Sequence, residues 1–279
     1  MELAGSLVLL VGAVVTVLAA WGVVDFPTPI ARMHAATKPA SLGLALLTIG
    51  AAITASSWDL VGVGLLVTVF LFLTAPISGH LLGRAAYLAG QAGRLEVDDL
   101  AGAEPGGFAP TEPRRGPSPL RVLAFAVIWV ALWQDLSVGN VINGILVGLV
   151  VGLVSRERTR GSRISPVGAA VFVVRYAGLV IASTARVAWE VVTPTNERVR
   201  EAIVEIPLRV SSAPAVLLLA NAISYTPGTL TLEVCGGPAP APARLWVHVL
   251  HFESVPQVVA EVRRIEDLVM AALPERAGV

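Results

Sequence analysis

The chain has 279 residues, 55% hydrophobic and 14% charged, and its 20 basic and 20 acidic side chains cancel to a net charge of zero. Soluble domains carry roughly 25% charged residues, so this composition, with a mean hydropathy of +0.74, excludes an ordinary soluble protein and defines an integral membrane one. The single cysteine, Cys235, excludes an internal disulfide framework and a Cys-rich metal site; it fits a reducing compartment and reads most simply as a small buried thiol.

Five spans are expected in chain order, at about 3 to 24, 40 to 56, 60 to 81, 120 to 135 and 138 to 154. The first has no basic region before it and is long enough to cross, so it reads as a retained anchor. The fourth and fifth reach only about 24 to 26 Å at ~1.5 Å per residue, short of a hydrocarbon core of roughly 30 Å, and predict a tilted or locally thinned hairpin. Basic residues fall in 25–39, 84–119 and after 155, whereas 56–59 and 134–140 have none. The positive-inside rule then places the N-terminus outside and everything after 155 in the cytoplasm.

Small residues recur every fourth position at Gly144, Gly148 and Gly152 in the fifth span, and at Ala75, Gly79 and Gly83 in the third. Lipid tails are as apolar as leucine, so helices associate in the bilayer through close van der Waals contact, and both stripes are expected to pack against other helices. Residues 91–119, rich in Gly, Pro, Ala and acids and without apolar period, read as a linker. It separates a three-span unit, 1–90, from the hairpin at 120–155. A basic loop and a further apolar segment, 167–192, occupy most of 156–198. That segment is long enough for a sixth span, yet Arg175, Ser183, Arg186 and Glu190 fall near one helical stripe, which favours an amphipathic helix lying in the interface. Arg156, Arg158, Arg160 and Arg163 would suggest a nucleic-acid patch elsewhere; directly beneath a span they read as a topology anchor that attracts anionic lipid headgroups, and no nucleic-acid partner is expected.

Residues 199–279 have the periods of a small α+β domain. Val204, Ile206, Leu208 and Val210 alternate with polar positions, a half-buried strand. A helix is expected after Ser212 as N-cap, with Pro214 in its first turn. The turn Thr226-Pro227-Gly228-Thr229 leads into alternating Leu230, Leu232 and Val234, and beyond a Gly/Pro loop Leu245, Val247 and Val249 alternate again. Val258, Val262, Ile265, Val269 and Ala272 then form one face of a helix. The expected fold is an α-helical integral membrane protein of about five transmembrane helices and an interfacial amphipathic helix, with a cytoplasmic C-terminal βαββα domain of ferredoxin-like type.

Little in the spans carries chemistry. Asp25, Asp59 and Asp135 sit at span ends, where a carboxylate reaches water. Asn143, inside the fifth span, is expected to hydrogen-bond a neighbouring helix. Asp25 and His80 are the candidates for an ion path, although one imidazole alone makes a poor relay. There is no phosphate-cradling Gly-rich loop, no His/Cys cluster at metal spacing and no Ser/His/Asp set in one domain, so neither an enzyme site, a metal nor a cofactor is expected. His248 and His251 are three apart and on a strand would face opposite sides.

Arg32-Met33-His34-Ala35-Ala36-Thr37-Lys38 with Ser41-Leu42-Gly43, and Leu73-Thr74-Ala75-Pro76-Ile77-Ser78-Gly79-His80 with Arg84-Ala85-Ala86-Tyr87, resemble the G-type component of Mrp-type (Mnh or Pha) multisubunit Na⁺/H⁺ antiporters. Trp133, Ser137, Asn140, Gly144 and Gly148, then Ala220-Asn221-Ala222-Ile223-Ser224-Tyr225-Thr226-Pro227-Gly228-Thr229 and His248, resemble the E-type component of the same complexes over about 118 to 272. Ser41 stands where the family often has Thr. The resemblance implies a natural fusion of two accessory subunits in a bacterial cell membrane. Its partners would be large complex I-like subunits that carry the ion-moving residues, together with other small membrane subunits. Arg32, His34 and Lys38 would form a cytoplasmic loop contacting those partners, or anchor topology alone; Ala75, Gly79, Gly83, Asn140, Gly144, Gly148 and Gly152 would face neighbouring helices. Against this stand two other readings: an autonomous small cation or proton transporter, disfavoured by spans clear of ionisable groups, and a membrane-tethered ligand-binding module.

Overall fold

The computed structural model describes residues 2–103, 119–154, 164–192, 200–226, 228–236 and 243–274. In chain order its elements are α1 (Glu2–Asp25), α2 (Pro29–Ala55), α3 (Trp58–Leu88), β1 (Leu95–Asp98), α4 (Pro119–Trp133), α5 (Val138–Val154), α6 (Pro166–Val192), β2 (Glu201–Pro207), α7 (Ala213–Tyr225), β3 (Thr229–Cys235), β4 (Arg244–Val249) and α8 (Val255–Ala272). Among the described residues three helices, α1, α2 and α3, are long and apolar enough to cross a membrane.

The second and third helices run well past the expected spans. Thr28 caps α2, its side chain accepting from the Ala31 amide at 3.1 Å, and Pro29 supplies a preset first turn. The stretch holding Arg32, His34 and Lys38 is therefore helix and not the expected loop. With 27 residues in α2 and 31 in α3, these helices measure about 40 and 46 Å and outrun a hydrocarbon core of ~30 Å. Helices α4 and α5 have 15 and 17 residues and fall short of it.

Close backbone approach builds both helix pairs. A Cβ on Gly12 would lie 2.8 Å from the Leu47 amide nitrogen and 2.9 Å from the Gly43 oxygen, and one on Gly50 would lie 2.7 Å from the Leu9 nitrogen. Gly5, Gly12 and Ala19 are buried along α1 at a spacing of seven, and no side chain fits between α1 and α2 at the glycines. In the hairpin, Gly144 and Gly148 face α4: their Cβ atoms would stand 3.1 Å from the Ala126 oxygen and 2.6 Å from the Val122 oxygen. Gly152 is buried in the same stripe. Asn140 ties the hairpin tip, accepting from Trp129 Nε1 at 2.9 Å and donating to the Asp135 oxygen at 2.7 Å. Asn143, expected to bond a neighbouring helix, is exposed, and no hydrogen bond joins it to another helix among the described residues.

The sheet has the order β1-β2-β4-β3, antiparallel except for β1, which lies parallel to β2. Strand β1 comes from the expected linker: Leu95–Asp98 pair with β2, and Trp246 Nε1 donates to the Asp99 oxygen at 2.9 Å. The rest of that linker, 104–118, lies outside the described residues, as does the basic cluster at 156–163. One sheet face, with Ala202, Val204, Ile206, Leu245, Val247 and Val249, packs on Leu219, Ile223, Val258, Val262 and Val269 of α7 and α8. Helix α6 joins this core through Phe172, through the Tyr176 hydroxyl, which donates to the Ala222 oxygen at 2.9 Å, and through Ser165 N, which donates to the Ala272 oxygen at 3.0 Å. Of the charged stripe expected on α6, Arg175 is exposed, and the side chains of Ser183, Arg186 and Glu190 lie outside the described set.

Glu266 on α8 staples the chain after β2. Its buried carboxylate accepts from the amides of Arg209 at 2.6 Å and Val210 at 3.2 Å and from the guanidiniums of Arg209 and Arg263. Burial alone would raise its pKa, but these hydrogen bonds outweigh burial and hold the carboxyl below its ordinary value.

The second sheet face departs from the half-buried expectation. Ile203, Leu230, Leu232 and Trp246 are also fully buried, against Ile30 of α2, Ala86 of α3, and Ala92 and Leu100 near β1. In β3 the leucines face these helices, while Thr231 turns to α7 and its hydroxyl donates to the Ala220 oxygen at 3.1 Å. The start of α2 and the end of α3 thus cover the sheet.

Candidate functional site: the seam between the long helices and the sheet

The apolar part of this seam is made by the stripe on α3. Gly83 faces Leu232 and Leu230, where a Cβ would lie 2.7 and 3.1 Å from their terminal methyls, and Gly79 faces Leu230 at 3.3 Å. The nearest neighbours of Gly79 and Gly83 are thus side chains of a strand of this same chain, with Thr37 and Met33 of α2 next at 3.7 and 3.9 Å; Ala75, one turn back, is half-buried. Arg84 closes the end of the stripe with an ion pair to Glu233 at 2.9 Å and lies over the Tyr87 ring. Tyr87 in turn donates to the Asp98 carboxylate at 3.0 Å.

Further along α3, the end of α7 reaches the helix one turn before Pro76. The Tyr225 hydroxyl donates to the Leu71 oxygen at 2.8 Å and its ring stacks on Phe72 with centroids 4.5 Å apart. Burial pushes the phenol up to about 12, against a smaller lowering by its hydrogen bond with Ser41, so it stays a donor across the physiological range. After Tyr225 the chain turns with its polar groups satisfied locally. The hydroxyls of Thr226 and Thr229 lie 2.7 Å apart, and each donates to the Ile223 oxygen at 2.7 Å. Gly228 has φ +65°, a left-handed value that favours glycine, and its oxygen accepts from the Leu250 amide at 2.7 Å. Pro227 lies outside the described residues.

The polar part of the seam is a buried chain of four side chains. His34 Nε2 on α2 lies 3.1 Å from His248 Nδ1 on β4. His248 Nε2 faces Glu201 Oε2 on β2 at 3.6 Å, and Glu201 Oε1 accepts from the Thr28 hydroxyl at 2.7 Å. His34, His248 and Glu201 are 1%, 0% and 3% exposed, so His34 presents no surface to another chain. Arg32, one helical turn from the cap, is exposed and donates through Nε to the Phe26 oxygen at 2.8 Å. The side chain of Lys38 lies outside the described set.

The two ion-path candidates are not brought together. Asp25 is exposed at the end of α1, whereas His80 is half-buried on α3 with Nδ1 donating to the Thr231 oxygen at 3.3 Å. Sequence reasoning missed the pairing of His34 with His248, 214 residues apart, because their two segments were read as separate units. It also missed the Gly5/Gly12 and Gly43/Gly50 packing, although a search at spacings of seven would have found it.

Extended helix ends that bury one face of a sheet define a helical membrane protein with a clamped α+β domain. A family model described as "Na+/H+ ion antiporter subunit" (MNHE) matches residues 122–272, more than half of the chain, and a second, described as "Na+/H+ antiporter subunit" (PhaG_MnhG_YufB), matches residues 8–87. The chain belongs to the Na⁺/H⁺ antiporter subunit family and joins both of these regions in one polypeptide. It is 36% identical over 91 residues to the G-type component of the Na(+)/H(+) antiporter of Alkalihalophilus pseudofirmus, a match covering 32% of this chain and 76% of that one. It is 37% identical over 92 residues to the putative antiporter subunit mnhG2 of Staphylococcus aureus strain Newman, covering 31% of this chain and 61% of the relative. A chain in the structure of the Mrp complex from Dietzia sp. DQ12-45-1b matches at 23% identity with a TM-score of 0.33, over 40% of this chain and 100% of that one.

Proposed function

We propose that this chain is a non-catalytic, structural subunit of an Mrp-type multisubunit sodium/proton antiporter in the bacterial cell membrane. In it a G-type membrane unit and an E-type unit act as one body and assemble with the larger subunits that move the ions. The observation that carries this reading is the seam: a glycine stripe and a buried histidine pair join the region matched by one antiporter-subunit model to the region matched by the other, and strand β1, from the segment between those regions, pairs with β2. The spans themselves hold no ionisable side chain. Residues 3–24, 39–58, 60–79, 122–134 and 136–154 contain no Asp, Glu, Lys, Arg or His, and intramembrane ion paths are built from such groups.

The remaining details follow from the same frame. Helices α4 and α5 cross as a short hairpin beside the three long spans, with the N-terminus outside and the sheet in the cytoplasm, supported by the run of basic residues on the sheet side. Helix α6 lies in the interface: its start is bonded to α8, and Arg200 beside β2 follows Val192 by only eight positions, a reach of at most about 28 Å that leaves no room for a second crossing. Residues 199–279 are read as a ferredoxin-like unit lacking its last strand, with β1 supplying an edge strand from the other half of the chain. The test is sodium-driven proton movement in everted membrane vesicles from cells lacking this chain. Loss of antiport and its return on complementation are expected; unchanged antiport by the remaining subunits would refute the role.

A further inference from the structure

Two imidazoles facing each other across a buried seam limit how many protons that seam can hold. Between His34 Nε2 and His248 Nδ1, 3.1 Å apart, one hydrogen is shared, one ring donating and the other accepting. If one proton is added, a cationic ring donates to a neutral one. Glu201 is then drawn in, because its Oε2 and His248 Nε2 are buried atoms without a hydrogen-bond partner among the described residues, 3.6 Å apart, and a charge-assisted bond between them satisfies both. If a second proton is added, each facing nitrogen carries a hydrogen and no lone pair remains between them. Two cationic rings then lie with centroids 5.3 Å apart where water does not screen them, and the Glu201 carboxylate offsets one of the two charges.

We propose that His34 and His248 form a pH-sensitive clasp that binds α2 to the sheet while at most one ring is charged and releases the sheet from the helix end when both are. Among the described side chains, the other titratable groups of the elements packed there are exposed or have partners of their own, and the side chain of Lys38 lies outside that set. Asp25 of α1 and Arg175 of α6 are exposed, and Arg32 of α2 is bound to the Phe26 oxygen. Arg200 beside β2 pairs outward with Glu96 of β1, His80 of α3 is bonded to β3, and His251 beyond β4 has contacts of its own. The clasp does not depend on the antiport assignment, since its readout is a distance.

The test places spin labels at Trp58→Cys, exposed at the start of α3, and Glu261→Cys, exposed on α8. The full chain is labelled with its co-purified subunits in lipid nanodiscs, and the distance distribution is followed from pH about 8 to about 5, the range in which an unperturbed imidazole gains its proton. The released state holds one more proton than the clasped one, so the ratio of long to short distances should rise by up to about tenfold per pH unit. His34→Gln should abolish that dependence. Glu201→Gln, which removes the compensating carboxylate, should move the transition to higher pH. A distance distribution that is invariant in the parent protein, or a pH dependence that survives unchanged in His34→Gln, would overturn the proposal; a shift to lower pH in Glu201→Gln would overturn the role given to the carboxylate. His248→Gln serves as a confirming variant, and the conclusion stands on His34→Gln if the β4 variant does not fold.

Discussion

Replacing Gly83 measures how tightly α3 and β3 are fitted. In Gly83→Ala the new methyl would lie 2.7 Å from Leu232 Cδ2 and 3.1 Å from Leu230 Cδ2. Both are ends of flexible side chains, and shifts of about 1 Å restore ordinary contact near 3.5 to 4 Å. That cost is under ~1 kcal/mol and is offset by the roughly 1 kcal/mol helix preference of alanine over glycine, so the variant should be close to neutral. Gly83→Leu puts a full side chain where Leu232 lies. Either the packing is strained by about 1 to 3 kcal/mol, or Leu232 is expelled and forfeits roughly 2 kcal/mol of burial. Thermal unfolding of the detergent-purified full chain should show Gly83→Leu melting well below both the parent and Gly83→Ala. Leu232→Ala added to Gly83→Leu should recover at least half of the loss, because the two residues are in contact and couple. A neutral Gly83→Leu, or a double variant no better than the sum of its parts, would refute the placement of this stripe against the strand.

Gly12→Ala should behave unlike Gly83→Ala, since its Cβ meets backbone atoms of Leu47 and Gly43 that cannot rotate away; we expect a loss of ~1 to 3 kcal/mol, read in the same melts, and equal effects of the two alanines would contradict it. Glu266 sets an acid-dependent increment. Because its folded pKa is lowered, its contribution is full above the ordinary carboxylate value near 4.3 and is lost as pH falls through the lower folded value. Glu266→Gln should therefore cost about 2 to 4 kcal/mol at pH 7 and less in acid, and a gap between the two melting curves that stays constant on acidification would count against this. Cutting the chain at 105 and coexpressing the halves should preserve their co-purification, because β1 stays with the N-terminal half and still pairs with β2. Removing 95–103 from that half should weaken it at least tenfold, and equal recovery of both would show that the strand contributes nothing.

Much of the local structure was legible in the chain. Long runs free of charge mark α1, α2 and α3, since a helix surrounded by lipid must present apolar side chains. The alternations around Val204 and Val247 mark β2 and β4, and the steps from Val258 to Ala272 mark α8, whose buried residues are those of the expected face together with Glu266. The start of α2 was less legible because charge made Arg32 to Lys38 look like loop, and Thr28 with Pro29 outweighed that composition by capping. Strand β1 is four residues long, too short to carry a period, and it exists only because β2 offers an edge to pair with.

What sequence by itself determined is most of the elements and the scarcity of ionisable groups in the spans, both consequences of local periodicity and of the cost of burying charge in lipid. Tertiary structure alone decided which surfaces meet. Glycines spaced by four announce a close neighbour but do not say whether it is a helix or a strand, and Gly144 met α4 while Gly83 met β3. A histidine on a helix face and another on a strand read as unrelated until two long helices cover a sheet, at which point His34 Nε2 and His248 Nδ1 lie 3.1 Å apart. Periodicity is a property of neighbours along the chain, whereas this seam is made by residues far apart in it, and only the packed fold brings them into contact.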